Sequence, residues 1–154
     1  MRVAEMMTAP VLTASPDATV REIAQMMLDR RSGSVVVVDK GEVVGIITRK
    51  DLQVTTRRVP QSGGTVRSPA ILGEFMGDEH QILQAAARVR EVPARDVMSQ
   101  PVHCVTSDQS AWDAAQLFLS EHIAHLPVVD DGVLVGIITR LDLLRLITED
   151  APGG

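Results

Sequence analysis

The chain has 154 residues, a net charge of −5, 45% apolar and 23% charged residues, and only 2% aromatics. Such a length supports one domain with a real core, and Val, Ile, Leu, Ala and Met must fill it. The acidic balance and the lack of aromatics argue against a nucleic-acid partner, which needs a basic face or stacking platforms.

Cys104 is the only cysteine, which excludes an internal disulfide framework and points to a reducing compartment. No apolar stretch approaches a membrane span. The first ten residues carry Glu5 and no long apolar run, so they do not read as a signal peptide. The expectation is a cytoplasmic protein with no membrane partner.

Val3 to Met7 reads as a short, helical lead-in stopped by Pro10, followed by an extended piece from Val11 to Ala14. Thr19, with Glu22 three residues on, has the spacing of a capping box. Val20, Ile23, Ala24, Met27 and Leu28 then recur at helical spacing as one apolar stripe. Ser34 to Val38, with four consecutive valines, predicts a strand covered on both faces. Asp39-Lys40-Gly41-Glu42 predicts a hairpin turn with Gly at positive φ, Val43 to Ile47 the returning strand, and Thr48 the cap of a helix to about Val54.

Residues 55–92 read as a joining segment. Its first half is loop, with Pro60, Ser62-Gly63-Gly64 and Pro69 as breakers. Arg57, Arg58 and Arg67 make it locally basic. A helix is predicted from about 78 to 91, started by Asp78 with Gln81 and ended by Pro93. Residues 93–148 then repeat the first pattern. Ser110 is expected to cap a helix with Asp113 closing the box, Ala111, Ala114, Ala115, Phe118 and Leu119 form its stripe, and Leu126–Val129 and Val133–Ile138 form a second hairpin. His103-Cys104 is expected within the extended piece from Val102 to Val105, and residues 149–154 form a tail.

The repeat is explicit. Gly45-Ile-Ile-Thr-Arg-Lys-Asp-Leu52 returns as Gly136-Ile-Ile-Thr-Arg-Leu-Asp-Leu143. At the same offset, Met7 falls on Met98, Pro10 on Pro101, Val37-Val38-Asp39 on Val128-Val129-Asp130, and Gly41 on Gly132. Two copies are too few for a solenoid. Each octet reads as a buried strand running into a helix. Thr48 and Thr139 are placed to accept a first-turn amide, and Asp51 and Asp142 lie where the helix dipole favours negative charge. Free amides at a helix start also suit an anion. His122 and His125, three apart, read as a surface pair rather than a metal site.

In this order, twice over, Met-Thr/Ser-x-Pro-Val, the hairpin residues and Gly-Ile-Ile-Thr-x-x-Asp resemble the cystathionine-β-synthase (CBS) domain, in tandem as a Bateman module. The resemblance covers about two thirds of the chain. It implies an α+β fold: two pseudo-twofold-related β-α-β-β-α units, one over 1–54 and one over 93–148, packed as one module with a cleft between them.

It also implies an adenosine-containing ligand, AMP, ADP, ATP or S-adenosylmethionine, with or without magnesium. Carried over from the family, Asp51 and Asp142 hold ribose hydroxyls, and Thr48 and Thr139 contact ribose or phosphate. Adenine lies against Val11 or Val102, with the backbone near Ser34-Val35 or His125-Leu126 reading its edge. Arg49, Lys50, Arg140 and His125 are the cations within reach of a phosphate by sequence. A carboxylate suits this chemistry because it accepts from two adjacent hydroxyls at once.

The copies differ: Lys50 becomes Leu141, Ser34 becomes His125, and Val36 becomes Pro127. Unequal clefts are therefore expected, and the arginines of the joining segment could serve a phosphate in one of them. Several readings stay open. The Thr/Asp pairs could be helix caps, ligand contacts, or both. The chain could be a ligand-sensing regulator of another protein and a homodimer of CBS pairs, or a dimerisation scaffold with clefts empty or plugged by Phe75 or Met76. An enzyme ranks last, because there is no phosphate-binding glycine loop, dinucleotide fingerprint, metal cluster or nucleophile–base signature.

Overall fold

The structure is a computed structural model that describes residues 1–54, 60–61, 64–65 and 79–148. In chain order the elements are α1 (Val3–Met6), β1 (Thr13–Ala14), α2 (Val20–Arg30), β2 (Ser34–Asp39), β3 (Glu42–Thr48) and α3 (Arg49–Val54). There follow β4 (Pro60–Gln61), β5 (Gly64–Thr65), α4 (Glu79–Val89), α5 (Ala111–Ser120), β6 (His125–Asp130), β7 (Val133–Thr139) and α6 (Arg145–Thr148). Single 3₁₀ turns lie at Ala94–Asp96 and Asp142–Leu144.

The two hairpins follow from their turns. Lys40 and Gly41 have φ of 50° and 81°, and Asp131 and Gly132 have 49° and 80°. Two consecutive left-handed residues give the two-residue turn whose twist matches the flanking strands, and only glycine adopts the second position without cost. β1 runs parallel to β2, with Thr13 opposite Val36 and Ala14 opposite Val37, and β3 lies on the far side of β2. In the second copy β6 and β7 pair antiparallel, His125 opposite Thr139 and Leu126 opposite Ile138. The counterpart of β1 shortens there to one parallel bridge, Val105 to Val128. Both copies thus carry the expected β-α-β-β-α order.

Helix α2 starts on a complete capping box: Glu22 N–H donates to Thr19 Oγ1 at 3.2 Å, and Thr19 N–H donates to Glu22 Oε2 at 2.9 Å. It stops at Arg31, which is left-handed (φ 50°, ψ 40°). In α5 only half of the expected box forms. Asp113 N–H donates to Ser110 Oγ at 3.1 Å without a return bond, because the aspartate arm is one methylene shorter than a glutamate. The stripes are also narrower than expected: Leu28 and Leu119, at matching positions, are 72% and 77% exposed.

The chain forms two compact units that cut across the sequence halves. The first holds Leu12–Asp39 and Val44–Pro101; the second holds Met1–Val11, Lys40–Val43 and Val102–Gly154. Each lead-in therefore joins the unit of the other copy. In the first unit, Ser99 exchanges both backbone bonds with Ile46 (2.9 and 3.3 Å), and Ala94 is fully buried. In the second, Thr8 does the same with Ile137 (2.9 and 3.0 Å), and Val3 and Met6 are fully buried.

The core of the first unit is Ile23, Met27, Val35, Val37, Ile47 and Ala94. That of the second is Val3, Val105, Ala114, Phe118, Leu126, Val128 and Ile138. The X-Pro bonds at Pro10 and Pro101, matching positions, are both cis. The predicted helix of the joining segment is α4, and the chain after it is pinned to the start of α2 by Val20 N–H to Val92 O and Arg21 N–H to Arg90 O. Arg57, Arg58, Arg67, Phe75, Met76 and Asp78 lie outside the described residues.

Candidate functional site

Each hairpin ends in a threonine, and the carboxylate three residues on folds back over it. Asp51 Oδ2 accepts from Thr48 N–H at 2.9 Å and from Thr48 Oγ1 at 3.1 Å. Asp142 Oδ2 accepts from Thr139 N–H at 2.7 Å and from Thr139 Oγ1 at 3.1 Å. This corrects the expected direction of the cap: the threonine hydroxyl donates to the carboxylate rather than accepting from a first-turn amide. A charged acceptor outcompetes a hydroxyl for available donors. Both aspartates are half-buried.

The second carboxylate oxygen separates the copies. Asp51 Oδ1 accepts from the Ser99 hydroxyl at 2.6 Å, across 48 positions of sequence. Asp142 Oδ1 has no hydrogen-bond partner among the described residues, and Thr8, the repeat counterpart of Ser99, reaches its unit only through its backbone.

The remaining expected residues divide between the units. The first holds Thr48, Asp51, Arg49, Lys50, Ser34 and Val35; the second holds Thr139, Asp142, Arg140, His125, Leu126, Val11 and Val102. Ser34 and Val35 are buried, and the Ser34 backbone is already engaged by its neighbour. Ser32 Oγ donates to Ser34 O at 2.8 Å and accepts from Ser34 N–H at 3.3 Å. In the second unit Ile123 stands where Ser32 does in the first. His125 is half-buried and Leu126 fully buried. Val11 and Val102 are half-buried.

The cations are also unequal. Arg49 and Lys50 are exposed, and Arg49 joins Arg31 at a largely apolar groove of about 530 Å³ lined by Ala24, Met27, Leu28, Ser32 and Leu52. Arg140 is also exposed but tied to backbone: its Nε donates to Ile123 O at 2.8 Å and its Nη2 to Phe118 O at 3.4 Å, closing the end of α5. Sequence reasoning missed Ser99 and Ser32. A signal for Ser99 existed, since a hydroxyl follows the methionine in both lead-ins, at Thr8 and Ser99.

His122 and His125 belong to no cluster of three or more metal-ligating side chains among the described residues. His103 and Cys104 lie outside any strand, with His103 Nε2 3.6 Å from Glu121 Oε2 and the Cys104 thiol free. Partial burial pushes that thiol above its usual range. Among the described residues no helix is long and apolar enough to cross a membrane.

Two β-α-β-β-α units from a duplicated sequence, each carrying a Thr-x-x-Asp clasp at the end of its hairpin, define a tandem-repeat module. The chain belongs to the CBS domain family, whose pattern matches residues 3–53 and 94–149. An uncharacterized protein of Methanopyrus kandleri is 35% identical over 94% of this chain, and the chain spans 61% of that relative's length.

Among solved structures, the CBS domain of a CBS-domain-containing membrane protein from Sphaerobacter thermophilus is 32% identical. Its TM-score is 0.73, over 95% of this chain and 87% of that one. The CBS domain pair of MJ0100, in complex with 5′-methylthioadenosine and S-adenosyl-L-methionine, is 23% identical, with a TM-score of 0.68 over 96% of both chains. CBSX2 in complex with AMP is 21% identical, with a TM-score of 0.69 over 96% of both.

Proposed function

We propose that the chain is a regulatory, non-enzymatic module of the cytoplasm that senses an adenosine-containing ligand, an adenine nucleotide or S-adenosylmethionine. The observation that carries this reading is the half-buried carboxylate repeated at the end of each hairpin. A carboxylate with an open oxygen, as at Asp142, is suited to two adjacent ribose hydroxyls. Support comes from the family, since MJ0100 and CBSX2 carry adenosyl ligands in their complexes. Thr48 and Thr139 orient the carboxylates. Arg49 and Lys50 beside Asp51 in sequence, and Arg140 beside Asp142, are the cations for a phosphate, with or without magnesium; all three are exposed.

The test is thermal stability of the purified protein against AMP, ADP, ATP and S-adenosylmethionine, each with and without Mg²⁺. A ligand at a hundredfold excess over its Kd stabilises by about 2.7 kcal/mol. Loss of that shift in Asp51→Ala or Asp142→Ala supports the sensor. No shift with any ligand sinks it.

A second reading, an association scaffold, is favoured by the exposed apolar residues on the helices: Leu28, Trp112, Leu119 and Ile147 are 68–81% exposed. A second copy covering such faces gives a homodimer of CBS pairs, which is compatible with sensing. A separate regulated protein is the remaining partner in this reading, and the acidic charge leaves no role for nucleic acid.

A further inference from the structure

The two carboxylates have the same sequence setting, the same two bonds from threonine and similar burial, so any difference in what they bind must come from their other neighbours. In the first unit those neighbours are hydroxyls of the chain itself. Ser99 Oγ holds Asp51 Oδ1 at 2.6 Å, and Ser32 Oγ bonds both the carbonyl and the amide of Ser34. These are the groups a nucleoside would use, a carboxylate for its diol and a strand backbone for its base edge. In the second unit the position matching Ser99 is Thr8, which makes no bond to Asp142.

We propose that Ser99 acts as an internal stand-in for a ribose hydroxyl at Asp51. The two copies are then graded: the Asp142 carboxylate takes the first equivalent of an adenosyl ligand, and the Asp51 carboxylate takes a second only by displacing Ser99. The inference rests on the adenosyl reading above and adds which copy fills first and which residue sets the difference. Ser99 is a positioning residue. Its backbone is fixed by the exchange with Ile46 (2.9 and 3.3 Å), which holds its hydroxyl within reach of Asp51 in the ligand-free protein. A ligand hydroxyl arriving at Asp51 replaces a charge-assisted hydrogen bond already made and gains only the difference between the two. At Asp142 it fills an open lone pair.

The experiment is calorimetric titration of the full chain with AMP, and separately with S-adenosylmethionine, in the wild type, Asp142→Asn, Asp51→Asn and Ser99→Ala. The expected result is a tighter equivalent that Asp142→Asn removes and a weaker one that Asp51→Asn removes. Ser99→Ala then tightens the weaker equivalent by about tenfold, the scale of one charge-assisted hydrogen bond. If Ser99→Ala does not fold, Ser99→Cys keeps the size, weakens the donor and carries the same expectation.

Loss of the tighter equivalent in Asp51→Asn instead of Asp142→Asn overturns the ranking. A weaker or unchanged second equivalent in the folded Ser99 variants overturns the role of Ser99 while leaving the adenosyl reading intact. Absence of binding in every variant and in the wild type removes both. A purely structural Ser99 would lower the melting temperature of the ligand-free protein without tightening any equivalent, which distinguishes the two roles.

Discussion

Met98 lies directly over Gly45: a Cβ added at Gly45 would stand 2.7 Å from Met98 Cγ. Met7 lies over Gly136 in the same way, with its Cγ 2.9 Å from the added Cβ. The first glycine of each octet is therefore the seat of the methionine from the other copy's lead-in. Gly45→Ala and Gly136→Ala should each destabilise by about 1–3 kcal/mol, the usual cost of overpacking. Urea denaturation measures it. Met98→Ala combined with Gly45→Ala should recover part of the loss, because the contact that causes the clash is gone. Strictly additive losses would mean that the methionine is not the obstacle.

The aspartates should differ in the ligand-free protein as well. Asp51→Ala strands three donors, the Thr48 amide, the Thr48 hydroxyl and the Ser99 hydroxyl; Asp142→Ala strands two. Both variants should lose stability, about 2–3 kcal/mol for Asp51 and about 1–2 kcal/mol for Asp142. Chemical denaturation without nucleotide isolates this from any loss of binding.

Much of this was legible in the residues, for a physical reason. Turns, caps and strand patterns are local, so Thr19 with Glu22, Lys40 with Gly41, and both hairpins followed from short spacings. The repeat offset also marked which residues would share an environment. The exchange of lead-ins was not legible, because Met7 and Met98 are equivalent in sequence and nothing local says which glycine each will cover. The narrowing of the apolar stripes at Leu28 and Leu119 was hidden too, since spacing shows that a face is apolar but not what lies against it. At the candidate site the aspartates stood out through their motif. Ser99 did not, because its hydroxyl reaches Asp51 through tertiary pairing with Ile46.

The exposed helix faces bear on assembly. Trp112 and Leu119 stand on α5, and Leu28 stands on α2, all more than two thirds exposed. If a second copy covers them, Trp112→Asp and Leu28→Glu should shift the protein from dimer to monomer in size-exclusion chromatography with light scattering. Their helix content should persist, since neither side chain contributes to a core. A monomeric wild type would remove this assembly.

Asp130 gives a pH dependence with a defined sign. The Ser107 hydroxyl, and then its amide at 2.9 Å, hold this carboxyl below its ordinary range. The native state thus binds this proton less readily than the unfolded chain. The stabilisation is present above the unfolded carboxylate value, near about 3.9, and is lost as the pH falls through the lower folded value. Urea midpoints of the wild type and Asp130→Asn should differ at neutral pH and converge in acid. A gap that widens on acidification would contradict the assignment.

The crossing of lead-ins between copies also sets an order of assembly. Chains emerge from the ribosome amino-end first, and domains generally fold in that sequence. Here the first unit has no complete core until Ala94 and Met98 have emerged. Met1–Val11, made ahead of both hairpins, pair with the second: Thr8 exchanges backbone bonds with Ile137 of β7. That segment thus waits for the second hairpin, and a product cut short before β6 and β7 leaves Val3 without the core that buries it.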